Sequence, residues 1–208
     1  MRSFYWLFLF FGTSTISIAQ APDNTWVEIT KLDSSIKFDI RYATKNNFLK
    51  EQVYDCGRCY FKREVAEAFV KAHKKLRTQG YGGLLFFDCY RPTLYQQRLW
   101  NKVPNPDYVA DPKKGSMHNR GVCADLTVMD KKGKALDMGT EYDAFTERAH
   151  TDFLNLSKKV LKNRQVLQNS LTAVGFQTIR TEWWHLSYKN LPNQPLYDWV
   201  WDCNSKNK

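Results

Sequence analysis

Two histidines, an aspartate and a glutamate occur at spacings that favour metal-dependent hydrolysis. His118 lies in the segment SMHNRG, seven residues before Asp125, and His185 ends the segment EWWH, which begins at Glu182. A hydrolytic zinc site needs three protein ligands and one open position for water, and two histidines with one carboxylate are a known solution. The order HxxxxxxD followed by ExxH therefore predicts that His118, Asp125 and His185 bind one Zn²⁺ per chain.

A general base and a cation complete the chemistry that such a site would perform. Glu182 lies three residues before His185, where a strand or turn can present its carboxylate beside the metal without coordination. Zinc lowers the pKa of bound water to about 7, and a nearby carboxylate can accept the proton and later donate it to the leaving amine. The developing oxyanion needs a further cation, and Arg91 is the candidate. An ion pair with Asp88 is the alternative, structural interpretation of Arg91.

Other chemistries have weaker support in the sequence. Ser116 lies near a histidine, but no GxSxG nucleophile elbow is present. The CxxC spacing of Cys56 and Cys59 could be a redox pair, half a zinc site or a local bridge. It lies in a loop-like stretch rather than at the start of a helix, and no second CxxC accompanies it. We expect His73 and His150 to be surface or hydrogen-bonded core residues.

The amino terminus has the layout of a secretory signal peptide. A short positive segment at residues 1–2 precedes the apolar run 4–11 and a small, polar segment at residues 12–21. The apolar run is far shorter than the roughly 20 residues that span a bilayer. We therefore predict a signal peptide at residues 1–20 and an exported mature domain at residues 21–208, periplasmic or extracellular, with no retained membrane span.

Five cysteines fit an oxidising compartment, and the odd number leaves at least one thiol unpaired. The pairing is open among Cys56, Cys59, Cys89, Cys123 and Cys203. About 188 mature residues suffice for one domain with a core. The net charge of +10 for the full chain could attract anionic envelope polymers or lipid headgroups, or it could reflect solvated lysine-rich helix faces. No nucleic-acid-binding motif accompanies the charge, so we predict no nucleic acid partner.

Alternating strands and amphipathic helices must position these residues. Val122 to Met129 alternates strictly, which places Cys123 and Asp125 on one face of a strand. Thr93 is a plausible cap for the second of three predicted helices. The predicted helices cover 62–78, 93–100 and 154–174, and extended segments cover 26–42, 84–90, 122–129, 134–138, 176–179 and 183–188. This irregular order favours an α+β fold, a single domain with an antiparallel sheet core flanked by helices.

At these motifs the sequence resembles the D-alanyl-D-alanine dipeptidases of the VanX type, within a group of zinc D,D-peptidases that includes D,D-carboxypeptidases and the Hedgehog amino-terminal domain. The resemblance covers most of the mature chain in the family's order. The matching segments are 41–44 with 46–48, 88–92, 116–127, 138–140 with Asp143, 147–148 and 182–185. It implies the family's fold, the zinc ligands and base given above, and transition-state stabilisation by Arg91.

The resemblance also implies a substrate. Ser116, Asp143 and Tyr42 would hold a dipeptide, with Asp143 accepting its free ammonium. Hydrolysis of D-Ala-D-Ala or related dipeptides in peptidoglycan metabolism is the resulting prediction. A D,D-carboxypeptidase acting on longer wall peptides and a non-catalytic zinc-binding module are the alternatives. Cys123 in the metal motif and the loop between Cys56 and Cys59 depart from the family pattern, and both bear on substrate range.

Overall fold

The computed structural model describes residues 23–204. The predicted signal peptide at residues 1–20 lies outside that range. Within it, none of the helices combines the length and apolarity that a membrane crossing requires.

Seven strands and three α-helices make up the described chain, which confirms the α+β class. In chain order they are β1 (Trp26–Glu28), β2 (Lys37–Phe38), β3 (Tyr60–Lys62), α1 (Arg63–Thr78), β4 (Gly83–Asp88), α2 (Thr93–Lys102), β5 (Cys123–Met129), α3 (Lys158–Thr172), β6 (Phe176–Thr178) and β7 (His185–Tyr188).

A five-stranded sheet in the order β2-β4-β5-β7-β6 forms the centre of the described residues. Strands β4, β5, β7 and β6 pair antiparallel. The short edge strand β2 pairs parallel to β4, so the prediction of an antiparallel sheet is wrong at this edge. Strands β1 and β3 form a separate antiparallel pair.

Helices α1 and α3 cover one face of the sheet. Phe69 of α1 packs edge-on against Phe86 of β4, with ring centroids 5.1 Å apart, and Phe86 pairs in register with Leu126 of β5. Because side chains alternate along a strand, Asp125 must then point to the opposite face. There Tyr142 and Phe87 pack together at 5.1 Å, and all seven residues of β5 are buried. The helices thus support a sheet whose other face is free to carry polar chemistry.

Several predicted elements differ from the observed ones for local reasons. Helix α3 begins at Lys158 rather than near 154, because the hydroxyl of Ser157 caps it by accepting from the Val160 amide at 3.3 Å. Thr93 is not the cap of α2. Pro92 holds that position, and the Thr93 hydroxyl donates to the Tyr197 carbonyl instead.

The segment 26–42 was predicted to be extended and is interrupted by two short 3₁₀ helices, Ile29–Lys31 and Arg41–Ala43. The predicted return strand at 134–138 forms only one bridge, from Met129 to Ala135. Helix α1 and the β6–β7 hairpin are confirmed with shorter strand ends.

Two disulfides fix the connections around the sheet. Cys56 bonds to Cys203, and Cys59 bonds to Cys89, so the CxxC pair is neither a local bridge nor a redox pair. Cys123 is buried and free. The carboxy-terminal segment packs Trp199 against Tyr90 at 4.7 Å, which extends the core beneath the end of β4.

Candidate metal centre and substrate pocket

The central strands bring two aspartate side chains and one histidine side chain into one row. A β-bulge at the end of β4 shifts its register, so that Asp88 lies opposite Asp125, which in turn lies opposite His185 of β7. Bulges of this kind re-aim side chains and are frequent beside active sites. Here the bulge places two carboxylates and one imidazole across three adjacent strands.

The predicted ligand atoms of His118, Asp125 and His185 converge. His118 Nε2 lies 3.3 Å from His185 Nδ1 and 3.3 Å from Asp125 Oδ1. The His185 Nδ1 to Asp125 Oδ1 distance is 3.0 Å. Tetrahedral coordination at 2.0–2.1 Å requires ligand atoms about 3.3 Å apart. The three atoms therefore fit one zinc ion.

His118 is presented by a tight turn and oriented by a backbone carbonyl. The turn ends at Gly121, whose φ of 68° lies in the left-handed region. His118 Nδ1 donates to the Cys89 carbonyl at 2.8 Å. That bond fixes the tautomer and leaves the lone pair of Nε2 facing the other candidate ligands.

His185 and Asp125 are oriented in the same manner. His185 Nε2 lies 3.0 Å from the Ser187 hydroxyl, which leaves Nδ1 to face Asp125. The hydroxyl of Tyr142 donates to Asp125 Oδ2 at 3.0 Å, so Oδ1 remains for a metal. Outer contacts of this kind hold ligands in place and tune their basicity.

Glu182 lies at the edge of this cluster, in the loop that joins β6 to β7. Its Oε2 is 3.9 Å from His185 Nδ1, beside the candidate ligand atoms. Burial raises the pKa of its carboxyl, and the imidazole of His185 opposes that shift. A carboxylate whose pKa is raised toward neutrality is better suited to both accept and return a proton.

Arg91 is buried and held by three side chains. Its Nε donates to Tyr54 at 2.9 Å and to Asp88 at 3.1 Å, and its Nη1 donates to Gln96 at 2.9 Å. The ion pair with Asp88 that was the structural alternative is therefore present. A guanidinium has five N–H donors, and these contacts together with Nη2 to Asp88 leave two for another acceptor.

Asp143 and Tyr42 lie together on the pocket wall. The Tyr42 hydroxyl donates to Asp143 Oδ2 at 2.9 Å, and Arg91 lies over the Tyr42 ring at 5.4 Å. Asp143 has a φ of 56°, a left-handed conformation that is uncommon outside glycine. Burial raises the pKa of Asp143 well above its usual value, the charge of Asp125 adds to this, and the Tyr42 hydrogen bond opposes it.

A cavity of about 410 Å³ joins all eight predicted residues: Tyr42, Arg91, Ser116, His118, Asp125, Asp143, Glu182 and His185. Ligand pockets span roughly 300–1,000 Å³, so this one suits a small substrate such as a dipeptide. The Ser116 hydroxyl also accepts from the His118 amide at 3.2 Å, which ties the pocket wall to the metal turn.

A second cavity of about 780 Å³ shares the Tyr142 wall and is lined by Arg41, Thr127 and Trp183 among others. It is larger, but it contains none of the three convergent ligand atoms. Convergent polar groups define a reaction site better than volume does, so the smaller cavity is the candidate site.

The residues that orient the site carry no recognisable signal in the sequence. Tyr142 directly precedes Asp143, but nothing in its spacing indicates a contact with Asp125. The roles of Tyr54 and Gln96 around Arg91 depend on contacts 37 and 5 residues away. The Cys89 carbonyl belongs to the backbone, which carries no residue-type signal.

The chain is similar to known proteins that all carry the same description. A family model described as D-ala-D-ala dipeptidase matches residues 23–205. The D-alanyl-D-alanine dipeptidase of Escherichia coli (strain K12) is 31% identical over 177 residues, covering 85% of this chain and 91% of the relative. The D-alanyl-D-alanine dipeptidase of Enterococcus faecium is 32% identical, covering 78% and 90%. That of Streptomyces coelicolor (strain ATCC BAA-471 / A3(2) / M145) is 28% identical, covering 81% and 94%.

Proposed function

The chain belongs to the D-ala-D-ala dipeptidase family, and from this premise we propose that it is a zinc peptidase that hydrolyses D-Ala-D-Ala or closely related dipeptides. The observation that carries the proposal is the convergence of His118 Nε2, Asp125 Oδ1 and His185 Nδ1 within 3.0–3.3 Å of one another. These residues would hold the zinc ion.

When bound, zinc would polarise the scissile carbonyl and acidify a water for attack. Glu182 accepts the proton of that water as the new C–O bond forms. It then returns the proton to the amine nitrogen as the C–N bond breaks. The position of its carboxylate beside the candidate ligands, with Oε2 3.9 Å from His185 Nδ1, supports this role.

Arg91 stabilises the negative charge that develops on the carbonyl oxygen. Asp88, Tyr54 and Gln96 hold its guanidinium before substrate arrives, so no reorganisation is needed during the reaction. The two N–H groups outside these contacts are the donors for the oxyanion. The ion pair with Asp88 thus supports the catalytic role, because it fixes the cation beside the pocket.

Asp143 binds the free ammonium of the dipeptide. The Tyr42 hydroxyl holds the Asp143 carboxylate in place, and Ser116 lines the pocket. A carboxylate in the same cavity as the candidate metal ligands selects substrates whose free amino terminus lies near the scissile bond. A D,D-carboxypeptidase acting on longer wall peptides does not need such a group. A non-catalytic zinc-binding module would need neither Glu182 nor Arg91, so both alternatives fit the site less well.

We further propose that residues 21–208 are exported as one domain after removal of a signal peptide at residues 1–20, and that the enzyme acts in peptidoglycan metabolism. The disulfides Cys56–Cys203 and Cys59–Cys89 support an oxidising compartment. D-Ala-D-Ala is a building block of the wall peptide, which is the reason for the metabolic assignment.

The test is release of D-Ala by the purified, zinc-loaded mature protein from D-Ala-D-Ala and, separately, from a wall pentapeptide. Glu182→Gln keeps the shape of the side chain but removes the base. We expect dipeptide turnover in the wild type and a loss of about 10²- to 10⁴-fold in kcat in the variant, with zinc content unchanged.

Turnover of the pentapeptide alone would replace the dipeptidase with the carboxypeptidase. Zinc binding without turnover of either peptide would favour the binding module. Full activity in Glu182→Gln would remove Glu182 from the mechanism.

A further inference from the structure

Cys123 places a thiol inside the proposed metal cluster. It is the first residue of β5, two positions before Asp125, so both side chains point to the same face of the strand. It is buried and free, whereas the other four cysteines form disulfides. None of the activity proposed above requires a thiol there.

The surroundings of Cys123 are polar and ligand-rich rather than apolar. Its sulfur and one ring nitrogen each of His118 and His185 all lie within 4.8 Å of one another. Its partner across the strand pair is Ser187, which contacts His185 Nε2. A buried cysteine that only fills the core has apolar neighbours and behaves as a small hydrophobe. Two converging imidazoles indicate a different role.

The donor types suit metal coordination by sulfur. Zinc binds sulfur at about 2.3 Å and imidazole nitrogen at about 2.0–2.1 Å, so sulfur and nitrogen on one tetrahedral ion lie about 3.6 Å apart. That separation falls within the 4.8 Å that bounds the group formed by the Cys123 sulfur and the two ring nitrogens. Both imidazoles thus lie near Asp125 and near Cys123.

We propose that Cys123 is a fourth protein ligand, so that the metal is held by two imidazoles, one carboxylate and one thiolate. The inference rests on the proposed metal site and adds a donor to it. On binding, the thiol proton passes to solvent and sulfur donates its electron pair to the metal. With four protein ligands, the attacking water would bind zinc as a fifth ligand, an expansion that catalytic zinc sites make in the transition state. A soft donor also gives the site a preference for thiophilic ions such as Co²⁺ over Mn²⁺ and for Cd²⁺ most of all.

The test is the absorption spectrum of the Co²⁺-loaded mature protein with its disulfides intact. A thiolate on Co²⁺ gives a near-ultraviolet sulfur-to-metal charge-transfer band, and the visible d–d bands report the rest of the coordination sphere. We expect both in the wild type. Cys123→Ala and Cys123→Ser should lose the charge-transfer band and keep d–d bands, because His118, Asp125 and His185 still bind the ion.

Metal affinity provides a second measurement. Cys123→Ala should weaken Cd²⁺ binding by about tenfold or more. Loss of a group that only orients a ligand costs about 10- to 100-fold in metal affinity, and loss of a ligand should cost at least as much. Mn²⁺ binding should change much less. Thr127→Ala is the matched control, since Thr127 lies on the same face of β5, two residues beyond Asp125. It should keep both the band and the Cd²⁺ affinity.

Two outcomes would overturn the inference: Co²⁺ bound by the wild type without the charge-transfer band, or a band that survives in Cys123→Ala. The proposed function fails separately. Failure of the wild type to bind Co²⁺ or Zn²⁺ would remove the metal site itself. A charge-transfer band without dipeptide hydrolysis would leave Cys123 as a ligand and remove only the peptidase activity.

Discussion

At the residue scale, Asp143 is held in a state that suits a cationic substrate. Its backbone has a φ of 56°, and burial together with the charge of Asp125 raises the pKa of its carboxyl well above the usual value. Left-handed conformations of non-glycine residues are concentrated at functional sites, where surrounding contacts enforce them. A substrate ammonium would stabilise the ionised Asp143 carboxylate. Its binding would therefore offset the free-energy cost of holding that charge in the empty pocket.

The hydrogen bond from Tyr42 should affect the acid limb of the pH profile through Asp143. Donation by the Tyr42 hydroxyl lowers the pKa of Asp143, so Tyr42→Phe raises it. In the proposed mechanism ionised Asp143 binds the ammonium, and this form is lost as pH falls through its pKa. We expect the acid limb of kcat/KM to move to higher pH by up to about one unit, with activity recovering as pH increases.

A pH profile of D-Ala-D-Ala hydrolysis measures this shift. Tyr108→Phe is the control, because Tyr108 lines the same cavity but is 48% exposed, and its limb should not move. An unshifted limb in Tyr42→Phe would argue against Asp143 as the ammonium site.

The candidate site could be predicted from sequence where residue type and spacing carry the chemistry. His118, Asp125, Glu182 and His185 belong to two short motifs. Adjacent strands place Asp125 opposite His185, and a turn and a loop bring His118 and Glu182 beside them. The role of Arg91 could not be decided from sequence, because the motif fits both a structural ion pair with Asp88 and a catalytic cation. The orienting contacts could not be predicted, because the Cys89 carbonyl acts through the backbone and Tyr142 meets Asp125 only through the fold.

At the scale of elements, the site depends on two irregularities rather than on regular strands. The bulge before Asp88 brings that residue opposite Asp125, and the turn that ends at Gly121 presents His118. The amphipathic pattern predicted α1 within one residue. It could not predict the bulge, because one extra residue in a strand leaves no signature in periodicity. The edge strand β2 has only two residues, too few for any pattern.

Gly121 tests the importance of the metal turn. A Cβ at this position would lie 2.3 Å from the Trp26 ring, at a φ of 68° that disfavours side chains. Trp26 is packed by Tyr90, Tyr197 and Trp199, so it cannot yield freely. We expect Gly121→Ala to lower the free energy of unfolding by about 2–4 kcal/mol and to weaken zinc binding as His118 shifts.

Gly133→Ala is the matched control for this change. Gly133 has a φ of 81°, but a Cβ there would meet nothing within 4 Å, so the variant isolates the backbone cost. It should lose about 1 kcal/mol in urea denaturation and keep its zinc affinity. Equal zinc affinities in the two alanine variants would show that the turn does not govern the metal site.

At the scale of the whole molecule, the two disulfides have different relations to the site. Cys56–Cys203 closes a loop of 147 residues and anchors the carboxy-terminal segment. Cys59–Cys89 spans 30 residues and holds the carbonyl that orients His118. Loop-closure entropy assigns them about 5 and about 4 kcal/mol as upper estimates, so both support the fold to a similar degree. Their effects on the metal site should differ.

Removing each disulfide by paired alanine substitution separates stability from function. We expect Cys56→Ala with Cys203→Ala to lower the free energy of unfolding by about 2–5 kcal/mol and to leave zinc affinity at its wild-type level. Cys59→Ala with Cys89→Ala should cost a similar amount of stability. It should also weaken zinc binding by about 10- to 100-fold, the usual effect of disturbing a group that orients a ligand.

Urea denaturation and competitive zinc titration, both at a temperature where each variant is folded, provide the two measurements. The Cys59–Cys89 pair supports the metal site through one bond, from His118 Nδ1 to the Cys89 carbonyl. Unless this bond weakens when the disulfide is removed, zinc affinity will not change. Equal affinities in the two double variants would therefore mean that the strand end at Cys89 is held by packing alone, and that the disulfides stabilise the chain without orienting its chemistry.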